Sequence, residues 1–219
     1  SIIALIHPYF ENTVSKYTAL KKAFFITAHD DTFGDYLEFG VFTGSSFNFA
    51  IKINRKIEKI FKKQTNCEFI GFDSFQGFGE IKNFDQNPSF KSKFFFVNKE
   101  KVIKNIKNIA KENKFKIIEG FYQETIKNKN PKDFGLNKAR VVMIDCDLKE
   151  SASIALEFIR SSLQKGTIIL FDDFHYYKGD INKGEYGAFN DFKNKYPEIL
   201  FRQILTYGYA GVGFIVYEI

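Results

Sequence analysis

The amino-acid sequence predicts an α/β fold: a mostly parallel seven-stranded sheet with helices on both faces and an antiparallel strand pair at its end. Three observations carry that prediction. Short apolar runs alternate with longer stretches of helical periodicity. Two of the runs, residues 140–144 and 167–171, are apolar almost throughout, the pattern of strands buried on both faces. The last two runs flank Gly208-Tyr209-Ala210-Gly211, a turn sequence that suits an antiparallel pair.

Taken in order, residues 35–39 read as a first strand, ended by Gly40. Ser45 or Ser46 can cap a helix running to about Lys63, with Phe47, Ile51, Ile57 and Phe61 at its apolar positions. Residues 69–72 form the second strand. After a polar loop, residues 99–113 read as a helix with Val102, Ile106 and Ile109 at helical spacing, and 116–119 as the third strand. The fourth strand, 140–144, precedes a helix over 151–163 closed by Lys165-Gly166. The fifth is 167–171. A helix over 186–196 leads to the final strands, 202–207 and 213–217. Such alternation implies a sheet covered on both faces.

Composition narrows the function classes. The chain has 219 residues, 44% of them hydrophobic, enough for one large domain with a sizeable core. A formal charge of +6 admits nucleic acid or an anionic membrane as partners. The lysine-rich stretches 52–63 and 99–116, however, read as the solvated faces of amphipathic helices. Cys67 and Cys146 have no metal-ligand spacing and are expected as buried free thiols, which suits a reducing cytoplasm. No run approaches the ~20 apolar residues of a membrane-spanning helix. Residues 1–6 lack the features of a signal peptide, and a start at Ser rather than Met suggests processing or truncation.

In parallel sheets ligands bind at the carboxyl ends of the strands. Polar residues gather there: Glu38 to Ser46, then Asp73-Ser74-Phe75, Glu119-Gly120, Asp145-Cys146-Asp147, and Asp172-Asp173-Phe174-His175. Gly40 and Gly44 let the first loop turn tightly beside a ligand, although structural turns share that spacing. Asp73 is placed to accept hydrogen bonds from ribose hydroxyls, or to sit in an exposed turn. Asp145, Asp172 and Asp173 would crowd on neighbouring strand ends. Their mutual repulsion needs a counter-cation, and oxygen-only ligands favour a hard ion such as Mg²⁺. The competing structural reading has Asp147 or Ser151 capping the next helix and Asp173 beginning a turn. His175 reads as a general base or as a packing residue. His7 and His29 read as structural.

Three segments together resemble the class I S-adenosylmethionine-dependent methyltransferases, and more narrowly the macrocin O-methyltransferase family. They are Tyr36-Leu-Glu-Phe-Gly-Val-Phe-Thr-Gly-Ser-Ser46, Gly71-Phe-Asp-Ser-Phe-Gln-Gly77, and Ile144-Asp-Cys-Asp-Leu-Lys-Glu-Ser151 followed by Leu170-Phe-Asp-Asp-Phe174. Lys183-Gly-Glu-Tyr-Gly-Ala-Phe189 also matches. The resemblance implies a Rossmann-like methyltransferase fold. It places Glu38, Gly40 and Gly44 at the cofactor's methionine end, with Thr43, Ser45 and Ser46 as polar contacts. It puts Asp73 at the ribose, Ser74 and Phe75 near the adenine, and Glu119 and Gly120 on the adenine's flank. Asp145, Asp172 and Asp173 would hold a divalent metal, and Asp145 or His175 would take the acceptor's proton. The family often has an aromatic residue where this chain has Lys149.

The same resemblance implies a metal-dependent O-methyltransferase, expected in the cytoplasm from its free thiols. Its acceptor would be a hydroxyl of a sugar or sugar nucleotide, in bacterial polysaccharide or natural-product biosynthesis. Residues 1–32 would form an N-terminal helical or lid segment and 33–219 the cofactor-binding domain. Neither nucleic acid nor membrane is expected as a partner, and a homo-oligomer is compatible with the sequence. The competing readings are a catechol-like or amine acceptor, a NAD-dependent oxidoreductase, which the missing GxGxxG disfavours, and an RNA-binding protein.

Overall fold

The computed structural model describes residues 7–79, 81–82, 85–86 and 96–219. Residues 1–6, read above against a signal peptide, lie outside the described residues. Strands β1 (Asp35–Phe39), β2 (Phe69–Asp73), β3 (Phe115–Glu119), β4 (Ala139–Ile144) and β5 (Ile168–Phe171) run parallel. Strand β7 (Gly211–Glu218) is antiparallel to both β5 and β6 (Leu200–Tyr207). The order is β3-β2-β1-β4-β5-β7-β6, seven strands with the predicted closing pair. The direction of winding reverses between β1 and β4, which makes their carboxyl ends the ligand-binding position of a doubly wound sheet.

The pleat sends alternate side chains to opposite faces, and each face carries its own core. Tyr36, Phe69, Val141, Met143, Ile168 and Leu170 pack with helices α1 (Pro8–His29), α2 (Ser45–Phe61) and α3 (Lys99–Ala110). Leu37, Phe39, Ile70, Phe72, Val142, Ile144 and Phe171 pack with α5 (Lys149–Ile159), α6 (Gly184–Lys195) and the short α4 (Tyr122–Thr125). Helix α1 buries Ala19, Leu20, Ala23, Phe24 and Ala28. Arg140, the second residue of β4 and its one charged residue, is fully buried. It donates to Thr27 Oγ1 (2.8 Å), Asn54 Oδ1 (2.9 Å) and the Phe24 carbonyl (3.0 Å), and so ties α1 and α2 to the sheet. Cys67 and Cys146 are buried free thiols, as expected. Among the described residues no helix is long and apolar enough to cross a membrane.

Several element ends differ from the sequence reading. Neither Ser45 nor Ser46 caps α2: Gly44 holds the N-cap position in a left-handed conformation, and the Ser46 hydroxyl donates to Glu38 instead. Helices α2 and α3 stop early, at Phe61 and Ala110, because Lys62 (φ 54°) and Lys111 (φ 53°) leave the helical region. Helix α5 starts two residues before the expected Ser151 and gives way to a 3-10 turn at Arg160–Ser162. His7 caps α1, and His29 pairs with Asp30, both structural roles as read.

Candidate active site

A cleft of about 950 Å³ opens over the carboxyl ends of β1, β2, β4 and β5. That lies in the range of small-molecule sites. On one side, Gly40, Phe42, Asp73, Ser74, Gly120 and Tyr122 line it. The Asp73 carboxylate accepts from the Phe42 amide (2.7 Å) and the Phe75 amide (2.6 Å). Both of those residues sit at positive φ, 47° and 56°, an unusual conformation for bulky side chains. The two loops thus fold around Asp73. The Val41 amide bonds it as well, which leaves one of its roughly four lone-pair sites for a hydroxyl donor. Gly40 is obligatory for close approach: a Cβ there would lie 1.8 Å from the Asp145 carbonyl oxygen.

The other side is acidic. Ligand atoms of Asp145, Asp172 and Asp173 lie within 4.8 Å of one another, close enough to share one cation. Asp145, Asp147, Asp172, Asp173 and Glu185 form one electrostatic cluster. Burial and the neighbouring Asp145 push the Asp172 carboxyl up to about 6. The same two causes push Asp147 up to about 7, against its hydrogen bond with Asp173. Asp173 and Glu185 are raised well above the ordinary range, chiefly by burial and then by the surrounding carboxylates. Like charges packed out of water disfavour ionisation, and a bound cation would relieve them.

One cation is already built in. Lys16, from α1, places its Nζ 2.8 Å from Asp145 Oδ2 and 2.7 Å from Asp172 Oδ2. Burial works to lower the pKa of this ammonium, but Asp145 and Asp172 outweigh it and hold it well above its ordinary value. The oxygen-only set of Asp145, Asp172 and Asp173 still suits a hard divalent ion. Two of its members are shared with Lys16.

Of the residues singled out from sequence, Gly40, Asp73, Ser74, Gly120, Asp145, Asp172, Asp173 and His175 line the cleft. Glu38, Thr43, Gly44, Ser45, Ser46, Phe75 and Glu119 are not among its lining residues. Glu38 is fully buried behind Gly40, where the hydroxyls of Tyr36 and Ser46 donate to its two oxygens. Glu119 pairs with Lys99 on α3. Lys149 points to α6, where it pairs with Asp191 at 2.7 Å.

Other residues were not reached by sequence reasoning. Glu185, fully buried on α6, accepts from the Asp173 amide (2.9 Å) and the Cys146 amide (3.3 Å), so it clamps both acidic loops. The Tyr207 hydroxyl, from β6, donates to Met143 Sδ at 3.7 Å and acts electrostatically on Asp172. Asp85 accepts from the Lys149 and Glu150 amides (2.7 and 3.1 Å). The Asp-x-Asp spacing marked Asp147, and Glu185 lay in a resembling segment. Lys16, Asp85 and Tyr207 carried no local signal.

A family model described as Macrocin-O-methyltransferase (TylF) matches residues 14–197. No curated protein sequence matches the chain. Among solved structures, the O-methyltransferase NovP is similar at 18% identity and a TM-score of 0.72, over 94% of this chain and 81% of that one. CalS11, a calicheamicin methyltransferase also described as TDP-rhamnose 3'-O-methyltransferase, is similar at 19% identity and a TM-score of 0.67, over 92% and 79%. An O-methyltransferase from Bacillus cereus in complex with SAH follows at 13% identity and a TM-score of 0.58, over 92% and 81%. At these identities the structural likenesses establish the fold.

Proposed function

This chain belongs to the macrocin O-methyltransferase family and is an S-adenosylmethionine-dependent O-methyltransferase; from that premise we propose that it methylates a hydroxyl of a sugar or sugar nucleotide with the help of a divalent cation, Mg²⁺ by donor chemistry. One observation carries the proposal. A single cleft holds Asp73 on one side and the Asp145, Asp172 and Asp173 oxygens on the other. The similarity to a TDP-rhamnose methyltransferase supports the acceptor class. So does Lys178, an exposed cation lining the acceptor side and suited to a diphosphate.

In this reading Gly40 and Asp73 line the cofactor half, with Asp73 accepting from the ribose and Ser74 and Gly120 beside the adenine. Glu38 acts from behind by fixing the loop through Ser46. Asp145, Asp172 and Asp173 would hold the metal, which when bound stabilises a developing alkoxide. Glu185 holds the two acidic loops in register. The acceptor's proton goes to Asp145 or His175, both on the cleft. The first half of α1, with Tyr9 and Lys16 on the cleft, serves as the cover over the acceptor side. Alignment of donor and acceptor by these walls is worth roughly 7–11 kcal/mol of the barrier in well-oriented systems.

Calorimetric titration with S-adenosylhomocysteine, with and without Mg²⁺, tests this division of roles. Asp73→Ala should abolish cofactor binding. Asp172→Ala should abolish metal-dependent turnover of a nucleotide-sugar acceptor while sparing cofactor binding. Equal loss of both functions in the Asp172 variant would overturn the assignment.

A further inference from the structure

The bridge between Asp145 and Asp172 holds an ammonium in the position that a divalent cation would need. Lys16 Nζ stands within 2.8 Å of an oxygen of each, and its side chain is 16% exposed. A hard divalent ion such as Mg²⁺ sits about 2.1 Å from a carboxylate oxygen. Sharing either oxygen with Lys16 would therefore put the ion within about 4.9 Å of Nζ. At that distance, in a partly buried site, a dication and an ammonium repel strongly.

We infer that Lys16 is a built-in competitor for the metal: its ammonium holds Asp145 and Asp172 together, and a divalent ion occupies that bridge only by displacing it. The inference rests on the metal-dependent reading above and concerns what sets the affinity of that site. Helix α1 is pinned by Ala19, Leu20, Ala23 and Phe24 in the core. Exchange therefore falls to the flexible lysine side chain, whose partial exposure gives it a way out. Asp145 and Asp172 share one ammonium here with the Asp173 carboxyl close by, so replacing a single charge by a double one answers the group's excess better. Displacement would break the two Lys16 ion pairs, the lysine leaving with its proton, and would free Asp145 and Asp172 to hold the ion. Lys16 is thus a positioning residue that keeps the metal-free site in a binding geometry at the expense of affinity.

The test is calorimetric titration of Mg²⁺ into the full chain and its Lys16→Met and Lys16→Arg variants. In parallel, acetylation of Lys16 in the unaltered chain is followed by mass spectrometry with and without Mg²⁺. Lys16→Met should bind Mg²⁺ about tenfold or more tightly than the unaltered chain, because a like charge is gone. Lys16→Arg keeps the charge and should stay within about threefold. Lys16 acetylation should speed up at saturating Mg²⁺. Equal or weaker Mg²⁺ binding by a cooperatively folded Lys16→Met, with Mg²⁺ still binding the unaltered chain, would overturn the inference and leave the metal reading standing. Should Lys16→Met fail to fold, acetylation decides: a rate unchanged by saturating Mg²⁺ overturns the inference. No Mg²⁺ binding by any of the three chains would remove the metal reading, and this inference with it.

Discussion

Glu38 shows how much a single residue can be asked to carry. It lies fully buried in β1, and burial pushes its carboxyl up to about 8 even though Tyr36 and Ser46 donate to it. The unfolded chain gives up that proton near pH 4.5, the folded chain only near 8. Folded protein therefore binds more protons across that window, so stability falls as pH rises through it and levels off above. Glu38→Gln removes the titration. Its unfolding free energy relative to the unaltered chain should gain about 2–4 kcal/mol between pH 5 and pH 8. Urea unfolding at several pH values measures this, and a pH-independent difference would mean that the buried carboxyl ionises normally. Asp145, Asp172 and Asp173 were legible in sequence because each follows a strand, where a parallel sheet presents its ligands. Lys16 was not, since its partner Asp145 lies 129 residues away and nothing around it distinguishes it from other helix lysines. Crowded carboxylates pointed from sequence to a divalent ion, whereas the cation that meets Asp145 and Asp172 here is the Lys16 ammonium.

At the scale of elements, strands were legible to within two or three residues because buried runs declare themselves by composition. Helix starts were legible to a similar margin, but the caps of two of them were not, because they are set by groups outside the helix or by backbone alone. Helix α5 is the clearer case. Asp147, the nearest acidic residue before its start, is at φ 59° and is hydrogen-bonded with Asp173, so it is engaged elsewhere. Asp85 reaches across from the segment between β2 and α3 and takes the first two amides, those of Lys149 and Glu150. Tyr177 donates to the Asp85 carbonyl at 3.0 Å, which joins the same segment to the β5 side of the cleft. Asp85→Ala should therefore cost about 1–2 kcal/mol, read as a lower urea midpoint at unchanged slope. Asp85→Asn, whose single carbonyl oxygen can accept from only one of the two amides, should recover part of it. Faster hydrogen exchange at the Lys149 and Glu150 amides would localise the loss, whereas an unchanged midpoint in Asp85→Ala would show that α5 finds another cap.

For the whole molecule, the decisive place is the seam between β1 and β4. The sheet reverses direction there, the two helical layers are anchored on its two faces, and the cofactor side of the cleft meets the acidic side. Gly40 stands on that seam at φ 97°, with the Asp145 carbonyl where its Cβ would be, 1.8 Å away. Two costs are combined at this position: a conformation that L residues avoid, and a collision with backbone that cannot rotate aside. Gly179 separates them, since it has φ 72° but nothing within 4 Å of an added Cβ. Gly179→Ala should cost only the conformational part, about 1–2 kcal/mol. Gly40→Ala should cost that and a further few kcal/mol of overpacking, about 3–5 kcal/mol in all. Forcing β1 from β4 also moves Asp145 away from Gly40, so the folded fraction of Gly40→Ala should lose S-adenosylhomocysteine binding while Gly179→Ala retains it. Urea unfolding and calorimetry on the two variants measure both effects. Equal destabilisation would mean that the seam yields to an extra methyl group, and that the glycine serves the turn rather than the approach of the two strands.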